Sequence, residues 1–326
     1  MRRLFLVFLV LIVAGLAAAY LAYRRDISDA YDRVAGRSQA VETSFGSLEY
    51  AVAGDGETLL AIHGSGGGFD QGLDFVARLA RGGYRVIAPS RFGYLGSDMP
   101  ANATPAMQAD AFAEFLDQMG ISEPIAVFGG SAGALSAIEF AVRHPDRCEA
   151  LVLAVPAAYA PTRAPNTSGA EGMEWLMRAM LRSDFVFWTM LRVFPGAMTR
   201  ILLATDPAEV AAASPSEQER VRLIRDRIMP VSARVEGLMM DMRTAGAPEP
   251  MELGRITCPV LTLSVRDDMF GTTDPAEYIA AEVADGRAVI YQSGGHVWVG
   301  HDEELWREIA SFLESVRGGD ANTPEP

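Results

Sequence analysis

The sequence predicts an α/β fold with a mostly parallel central sheet, helices on both faces, a helical insertion and an apolar N-terminal helix. Three observations predict it. Apolar runs alternate regularly with amphipathic stretches between residues 48 and 155, the pattern of parallel βαβ units. Residues 157–250 break that rhythm with helical patterns that no strand separates. Between them, Gly129-Gly130-Ser131-Ala132-Gly133 follows the apolar run Ile125-Ala126-Val127-Phe128 and precedes a helix-like run that starts at Ala134. A G-x-S-x-G between strand and helix is a nucleophile elbow: its glycines permit a turn so tight that the serine stands exposed at its tip.

At the N-terminus, Arg2 and Arg3 precede residues 4–23, which carry no charge. At about 1.5 Å per residue this stretch spans roughly 30 Å, the thickness of a bilayer core. Its length favours a single-pass anchor over residues 1–25. A cleavable signal peptide needs a shorter apolar region, although Ala17-Ala18-Ala19 supplies small residues for a cleavage site. Basic residues flank both ends, with Arg24, Arg25, Arg33 and Arg37 on the far side; their count leans toward a cytoplasmic body, while a short basic N-terminus held inside with an exported body is equally familiar, so the side of the membrane stays open. Residues 26–41 form a polar stalk in this reading.

Strands are expected near 46–53, 58–62, 85–88, 124–128 and 150–154, and helices near 70–82, 104–119 and 131–143. The strand at 58–62 runs into His63-Gly64-Ser65-Gly66-Gly67-Gly68. Such a loop brings backbone N–H groups to a developing oxyanion. Ser65 is the expected donor, with Gly66 second to it, and Ala132, next to Ser131, supplies the other N–H. The spacing fits neither a dinucleotide loop nor a phosphate-binding loop. Downstream, the run Val260-Leu261-Thr262-Leu263-Ser264-Val265 ends in Arg266-Asp267-Asp268, and Ala288-Val289-Ile290-Tyr291 ends in Gln292-Ser293-Gly294-Gly295-His296. Serine, acid and histidine thus follow in order, each at a strand's C-terminal end, where open α/β sheets place their chemistry. In such a set Ser131 attacks, His296 carries protons and Asp268 orients the imidazole.

These motifs, with Ser90-Arg91-Phe92-Gly93-Tyr94-Leu95-Gly96-Ser97 and Arg143-His144-Pro145-Asp146-Arg147, make the chain resemble the α/β-hydrolase superfamily over residues 42–316. The resemblance implies an α/β-hydrolase core in two halves (42–156 and 251–317), a helical cap at 157–250 and a disordered tail at 318–326. Two departures stand out. Ser90 occupies a place where many relatives carry Asp, and Val265 one where relatives often carry Gly. Counted from Val265, the acid falls on Asp268 rather than Asp267. A serine nucleophile argues against the dehalogenase and epoxide-hydrolase branches, which need a carboxylate. The implied reaction is cleavage of a carboxylic ester of a small or medium apolar substrate. Carbon–carbon bond hydrolysis, lactone cleavage, cofactor-free haloperoxidase chemistry and a non-catalytic ligand-binding role stay open as alternatives, and a membrane-lipid substrate is a further idea that the anchor motivates.

The other histidines read as structural: His63 bracing its loop, His144 after the elbow helix, and His301 near the start of a C-terminal helix. The motifs call for no cofactor and no metal. A formal charge of −14 argues against nucleic-acid binding, which wants a basic face. All basic residues are arginine, with abundant alanine and glycine, as in proteins of GC-rich genomes. Cys148 and Cys258 are the only cysteines and flank predicted strands, which suits small buried residues rather than a disulfide framework.

Overall fold

Runs of Val, Ile, Leu and Ala that are buried on both faces read as parallel strands, and here they assemble into an eight-stranded sheet. The computed structural model describes residues 2–164 and 174–320. The chain opens with helix α1 (Arg2–Val34), followed by β1 (Gln39–Thr43), β2 (Gly46–Ala53), β3 (Glu57–Ile62), α2 (Phe69–Phe75), α3 (Ala77–Arg81), β4 (Tyr84–Pro89), α4 (Pro105–Gln118), β5 (Ile125–Gly130), α5 (Gly133–Arg143) and β6 (Cys148–Ala154). Six helices then run without an intervening strand: α6 (Glu174–Leu181), α7 (Asp184–Val193), α8 (Pro195–Leu203), α9 (Pro207–Ala212), α10 (Pro215–Asp226) and α11 (Val235–Thr244). β7 (Val260–Val265), α12 (Thr273–Glu282), β8 (Gly286–Tyr291) and α13 (Asp302–Asp320) complete the core.

The sheet order is β1-β2-β4-β3-β5-β6-β7-β8. Only the β1–β2 and β2–β4 pairings are antiparallel; the rest are parallel. One face packs on α4, α5 and α12 through residues such as Phe112, Phe115, Leu135, Ile138 and Ile279. The other packs on α2, α3 and α13 through Phe69, Leu79, Trp306, Ile309 and Leu313. Helix starts follow local rules: the Thr104 side chain caps α4, Ser183 α7, Asp206 α9 and Ser214 α10, with Pro at the first turn of α4, α9 and α10, as their missing or unpaired N–H groups require.

Three expectations change. Residues 26–41 are not a free-standing stalk, although their first part is helical as a stalk could be. α1 continues unbroken to Val34, and Gln39–Thr43 pairs with β2 as an edge strand. The end of α1 is docked: Ile27 and Ala30 are buried among Phe187, Trp188, Leu191 and Met198, and Arg33 binds the carbonyls of Arg227 and Met229. The helix expected at 70–82 is two helices, because Val76 leaves helical geometry (φ −101°, ψ 20°) to bury its side chain. The last helix extends to Asp320, three residues into the expected tail; residues 321–326 lie outside the described residues.

α1 is long and apolar enough to cross a bilayer, and its most apolar stretch is uncovered by the rest of the chain. A signal sequence, also N-terminal, meets the same description.

The elbow leaves no room for side chains at its glycines. A Cβ on Gly133 would lie 2.4 Å from the His63 carbonyl oxygen, and one on Gly129 2.7 Å from the Ala137 Cβ. Gly133→Ala should therefore cost about 1–3 kcal/mol of stability by overpacking, read as a lower denaturant midpoint at unchanged slope; an unchanged midpoint would show that α5 can shift away from β3.

Candidate active site

β5 ends at Gly130, and Ser131 then adopts φ +50°, a left-handed conformation that a non-glycine residue takes only where its surroundings hold it. They do so here. The Ser131 N–H donates to the Ala154 carbonyl at 2.9 Å, and the Ser131 carbonyl accepts from Ala134 and Ala157 N–H groups at 3.0 and 3.1 Å. α5 starts two residues later, so the helix expected at 131 begins at Gly133.

The hydroxyl thus raised is met by His296 and Asp268. Ser131 Oγ lies 2.9 Å from His296 Nε2, and His296 Nδ1 lies 2.8 Å from Asp268 Oδ2. Nδ1 is assigned the proton because the carboxylate can only accept; Nε2 is then free to take the serine proton. Asp268 also accepts from the Phe270 N–H at 2.9 Å and from the Thr272 hydroxyl. Burial pushes this carboxyl's pKa up, but the His296 charge and these hydrogen bonds outweigh burial and hold it below the ordinary range. The Phe270 ring stands edge-on to the imidazole at 4.9 Å.

The neighbouring Asp267 has another task. Its carboxylate accepts from the N–H groups of Gly294 and Gly295 at 3.3 and 2.9 Å. These glycines, at φ +130° and +60°, shape the turn that presents His296.

The glycine-rich loop lies against Ser131: a Cβ on Gly64 would sit 3.1 Å from the Ser131 Cβ. Within the loop, Gly64 N–H donates to Gln71 and Gly66 N–H to the Tyr94 hydroxyl. Gly66, the second choice as donor, is therefore already engaged. The Ser65 side chain donates to Asp241 at 2.9 Å, which fixes the loop beside the elbow. Ala132 follows Ser131 directly and stands at the N-terminus of α5, where backbone N–H groups point outward.

Behind that loop lies a polar cluster that the sequence reading missed. Arg91 forms two bonds to Asp241 of α11, at 2.8 and 2.7 Å, and the Tyr94 hydroxyl donates to the same carboxylate. Arg91 Nε also donates to the His63 carbonyl at 2.9 Å. All three side chains are buried. The available signal was a lone Asp in the apolar run Leu238-Met239-Met240-Asp241-Met242, since a buried charge needs a partner. His63 donates from Nδ1 to the Gly64 carbonyl and accepts the Arg91 N–H at Nε2. Burial, then the Arg91 charge, push its pKa well down, so it is neutral. Ser90, at the position where relatives carry Asp, accepts from Phe69 N–H and donates to Glu49.

His144 pairs with Asp110 at 2.9 Å, and His301 lies 3.1 Å from Glu304 and stacks on Tyr291; neither joins the Ser131 cluster. Cys148 and Cys258 are free, buried and 3.4 Å apart at sulfur.

A sequence model described as "Alpha/beta hydrolase family" matches residues 59–308, which span the elbow, the acid loop and the histidine loop. The chain belongs to the alpha/beta hydrolase family. It is 27% identical over 301 residues to a 2-hydroxy-6-oxononadienedioate/2-hydroxy-6-oxononatrienedioate hydrolase of Cupriavidus pinatubonensis, covering 86% of this chain and 96% of that one. Among solved structures it is similar to an alpha/beta hydrolase fold protein from Nakamurella multipartita (28% identity, TM-score 0.64, covering 85% of this chain and 98% of the other). It is also similar to a membrane phospholipase A (25% identity, TM-score 0.63), where the match covers 97% of this hydrolase and 99% of that chain.

The two adjacent acids allow a sharp test. Asp268→Asn should lower kcat on an ester substrate by about 10⁴-fold while leaving the thermal transition in place, because the amide favours the wrong tautomer. Asp267→Asn should cost far less. Comparable losses in both, measured by steady-state kinetics with melting curves alongside, would remove the distinction between them.

Proposed function

We propose that this hydrolase is a membrane-anchored serine enzyme that cleaves a carboxylic ester of a small or medium apolar substrate through an acyl-enzyme on Ser131. The carrying observation is the continuous pair of hydrogen bonds from Ser131 to His296 to Asp268.

As Ser131 Oγ attacks the carbonyl carbon, its proton passes to His296 Nε2, and the imidazolium is held by the Asp268 carboxylate. The carbonyl oxygen becomes an oxyanion and takes hydrogen bonds from the N–H groups of Ala132 and Ser65. Collapse expels the alcohol, which leaves with the proton from His296. Water then enters, gives a proton to His296 and attacks the acyl carbon; Ser131 recovers its proton as the carboxylic acid departs. The short loop from Ser65 through Asp241 to Arg91 keeps one donor of this pair in place.

The anchor reading draws on the unbroken course of α1 from Arg2 to Val34 and on its docked C-terminal third. The match to a membrane phospholipase A over 97% of this chain supports both the anchor and an ester substrate.

A second reading is carbon–carbon bond hydrolysis on the same residues, favoured by the relatives named as 2-hydroxy-6-oxo-dienoate hydrolases. Substrates named as dioates carry two carboxylates, and binding them wants uncommitted cations. Arg91 is spent on Asp241, whereas Arg163 donates only to the carbonyls of Ala158, Ala245 and Phe270 and forms no salt bridge among the described residues, so one cation near the acid loop is left to meet a carboxylate. The ester reading makes no such demand.

The test is hydrolysis of p-nitrophenyl esters from acetate to palmitate by the full chain in detergent, with Ser131→Ala beside it. Activity peaking at one chain length, and about 10⁴-fold or more lower in Ser131→Ala, supports the proposal. Turnover of a vinylogous 1,5-diketone acid without ester turnover would favour the second reading. No turnover, with no labelling of Ser131 by a fluorophosphonate, would overturn both and leave a ligand-binding role.

A further inference from the structure

α7 and α8 form a bent pair, their axes 112° apart. Their inner residues Phe187, Trp188, Leu191 and Met198 are buried with Ile27 and Ala30 of α1. Their exposed side carries, beside Arg192 and Arg200, five large apolar residues: Phe185, Val186, Val193, Phe194 and Ile201 are 46%, 40%, 58%, 59% and 65% exposed. Spacing explains the segregation. Phe185, Thr189 and Val193 follow at i, i+4 and i+8 along α7, and Phe194, Ala197 and Ile201 at i, i+3 and i+7 from the start of α8, so each helix carries one outward stripe. A soluble surface seldom leaves such a concentration of large apolar side chains open to water.

α1 identifies the occupant. The exposed apolar stretch of α1 ends in Tyr20 and Tyr23, and these rings continue directly onto the cap. Tyr20 and Tyr23 lie 6.4 Å apart, Tyr23 and Phe185 5.0 Å, Tyr23 and Trp188 5.6 Å, and Phe185 and Trp188 6.2 Å. Asp26 locks the junction, accepting from the Trp188 indole N–H at 2.9 Å and pairing with Arg192. Aromatic rings at the end of an apolar span mark the level of a membrane interface. Arg24 and Arg25 stand at the same level, exposed, as cations that can meet headgroup phosphates. The formal charge of −14 opposes adsorption to an anionic surface, so apolar insertion has to supply the binding.

We propose that the outer face of α7 and α8 is seated in the interface of the bilayer that α1 enters, and that the enzyme draws its ester from that lipid phase. This rests on the anchor reading above. The seat is coupled to the site: α8 ends at Ala204, whose carbonyl accepts the N–H of Met269, next to Asp268, at 3.1 Å. The following Thr205 packs on Gly295, next to His296; a Cβ on Gly295 would lie 2.4 Å from its Oγ1. The helix pair thus adjoins both the acid and the histidine loops.

The test uses the full chain in phosphatidylcholine nanodiscs, with an environment-sensitive maleimide dye on Phe194→Cys and, as control, on Arg222→Cys of α10. Cys148 and Cys258 are buried, and the unsubstituted chain measures any label they take. With spin-labelled phosphatidylcholine in the disc, the dye at position 194 should lose about half its intensity, as expected for insertion of about 5–10 Å, while the dye at 222 stays unquenched. Equal intensities at both positions, a chain that fails to enter the disc, or energy transfer between labelled copies at 194 without lipid quenching would each overturn the proposal; the last would assign the face to a second copy. Quenching does not depend on turnover, so a chain that is inert toward esters and fluorophosphonate yet quenched at 194 would refute the hydrolase reading alone.

Discussion

The structure depends on one strained residue. Ser131 holds a left-handed backbone that costs on the order of 1–2 kcal/mol for a residue with a side chain, and three backbone hydrogen bonds keep it there, two to β6 and its following loop and one to α5. The geometry leaves little freedom elsewhere. Glycine is required at 129 and 133 because α5 and the β3 loop approach to contact distance. β5 must be central and parallel, flanked by β3 and β6, because its neighbours carry the oxyanion loop and the Ala154 carbonyl. The sheet's order is thus tied to the exposure of one hydroxyl.

A second constraint is electrostatic. Arg91 and Asp241 are buried, and breaking such a pair leaves an uncompensated charge that costs about 3–5 kcal/mol. Their pairing joins the loop after β4 to α11 of the cap, and Ser65 and Tyr94 bond to the same carboxylate. The helical insertion is therefore fastened to the core through the group that also fixes the glycine-rich loop beside Ser131. Arg234 and Asp70 form a parallel buried tie between the cap and α2, with Arg33 of α1 beside them. Two charged clamps, with apolar packing of α1 on α7, hold α1, the helical insertion and the core in register.

Legibility in the sequence follows the range of the interaction. Ser131, His296 and Asp268 could be read because each ends an apolar strand, and strand ends in this topology converge on one edge. The family resemblance chose between Asp267 and Asp268, which spacing alone left adjacent; the structure shows why both exist, one facing the imidazole and one holding the glycine turn that carries it. Arg91 and Asp241 could not be paired by reading, because they lie 150 positions apart, one after a core strand and the other inside the helical insertion. Residues 26–41 were misread for a related reason: they are polar by composition, yet Ile27, Ala30 and Arg33 are fixed by cap residues that come far later in the chain. The outward stripes of α7 and α8 look like ordinary core positions until the fold shows which side is covered.

Everything said of function turns on Ser131 becoming covalently acylated. The direct measurement is rapid mixing of the full chain with p-nitrophenyl butyrate, acid quenching and mass spectrometry of the peptide that carries Ser131. A butyryl adduct on that serine, formed as fast as the first burst of nitrophenol and decaying at the turnover rate, is the predicted result. Nitrophenol released at the same rate with Ser131 unmodified throughout would contradict the account, since it would mean that water, not the elbow serine, attacks the ester.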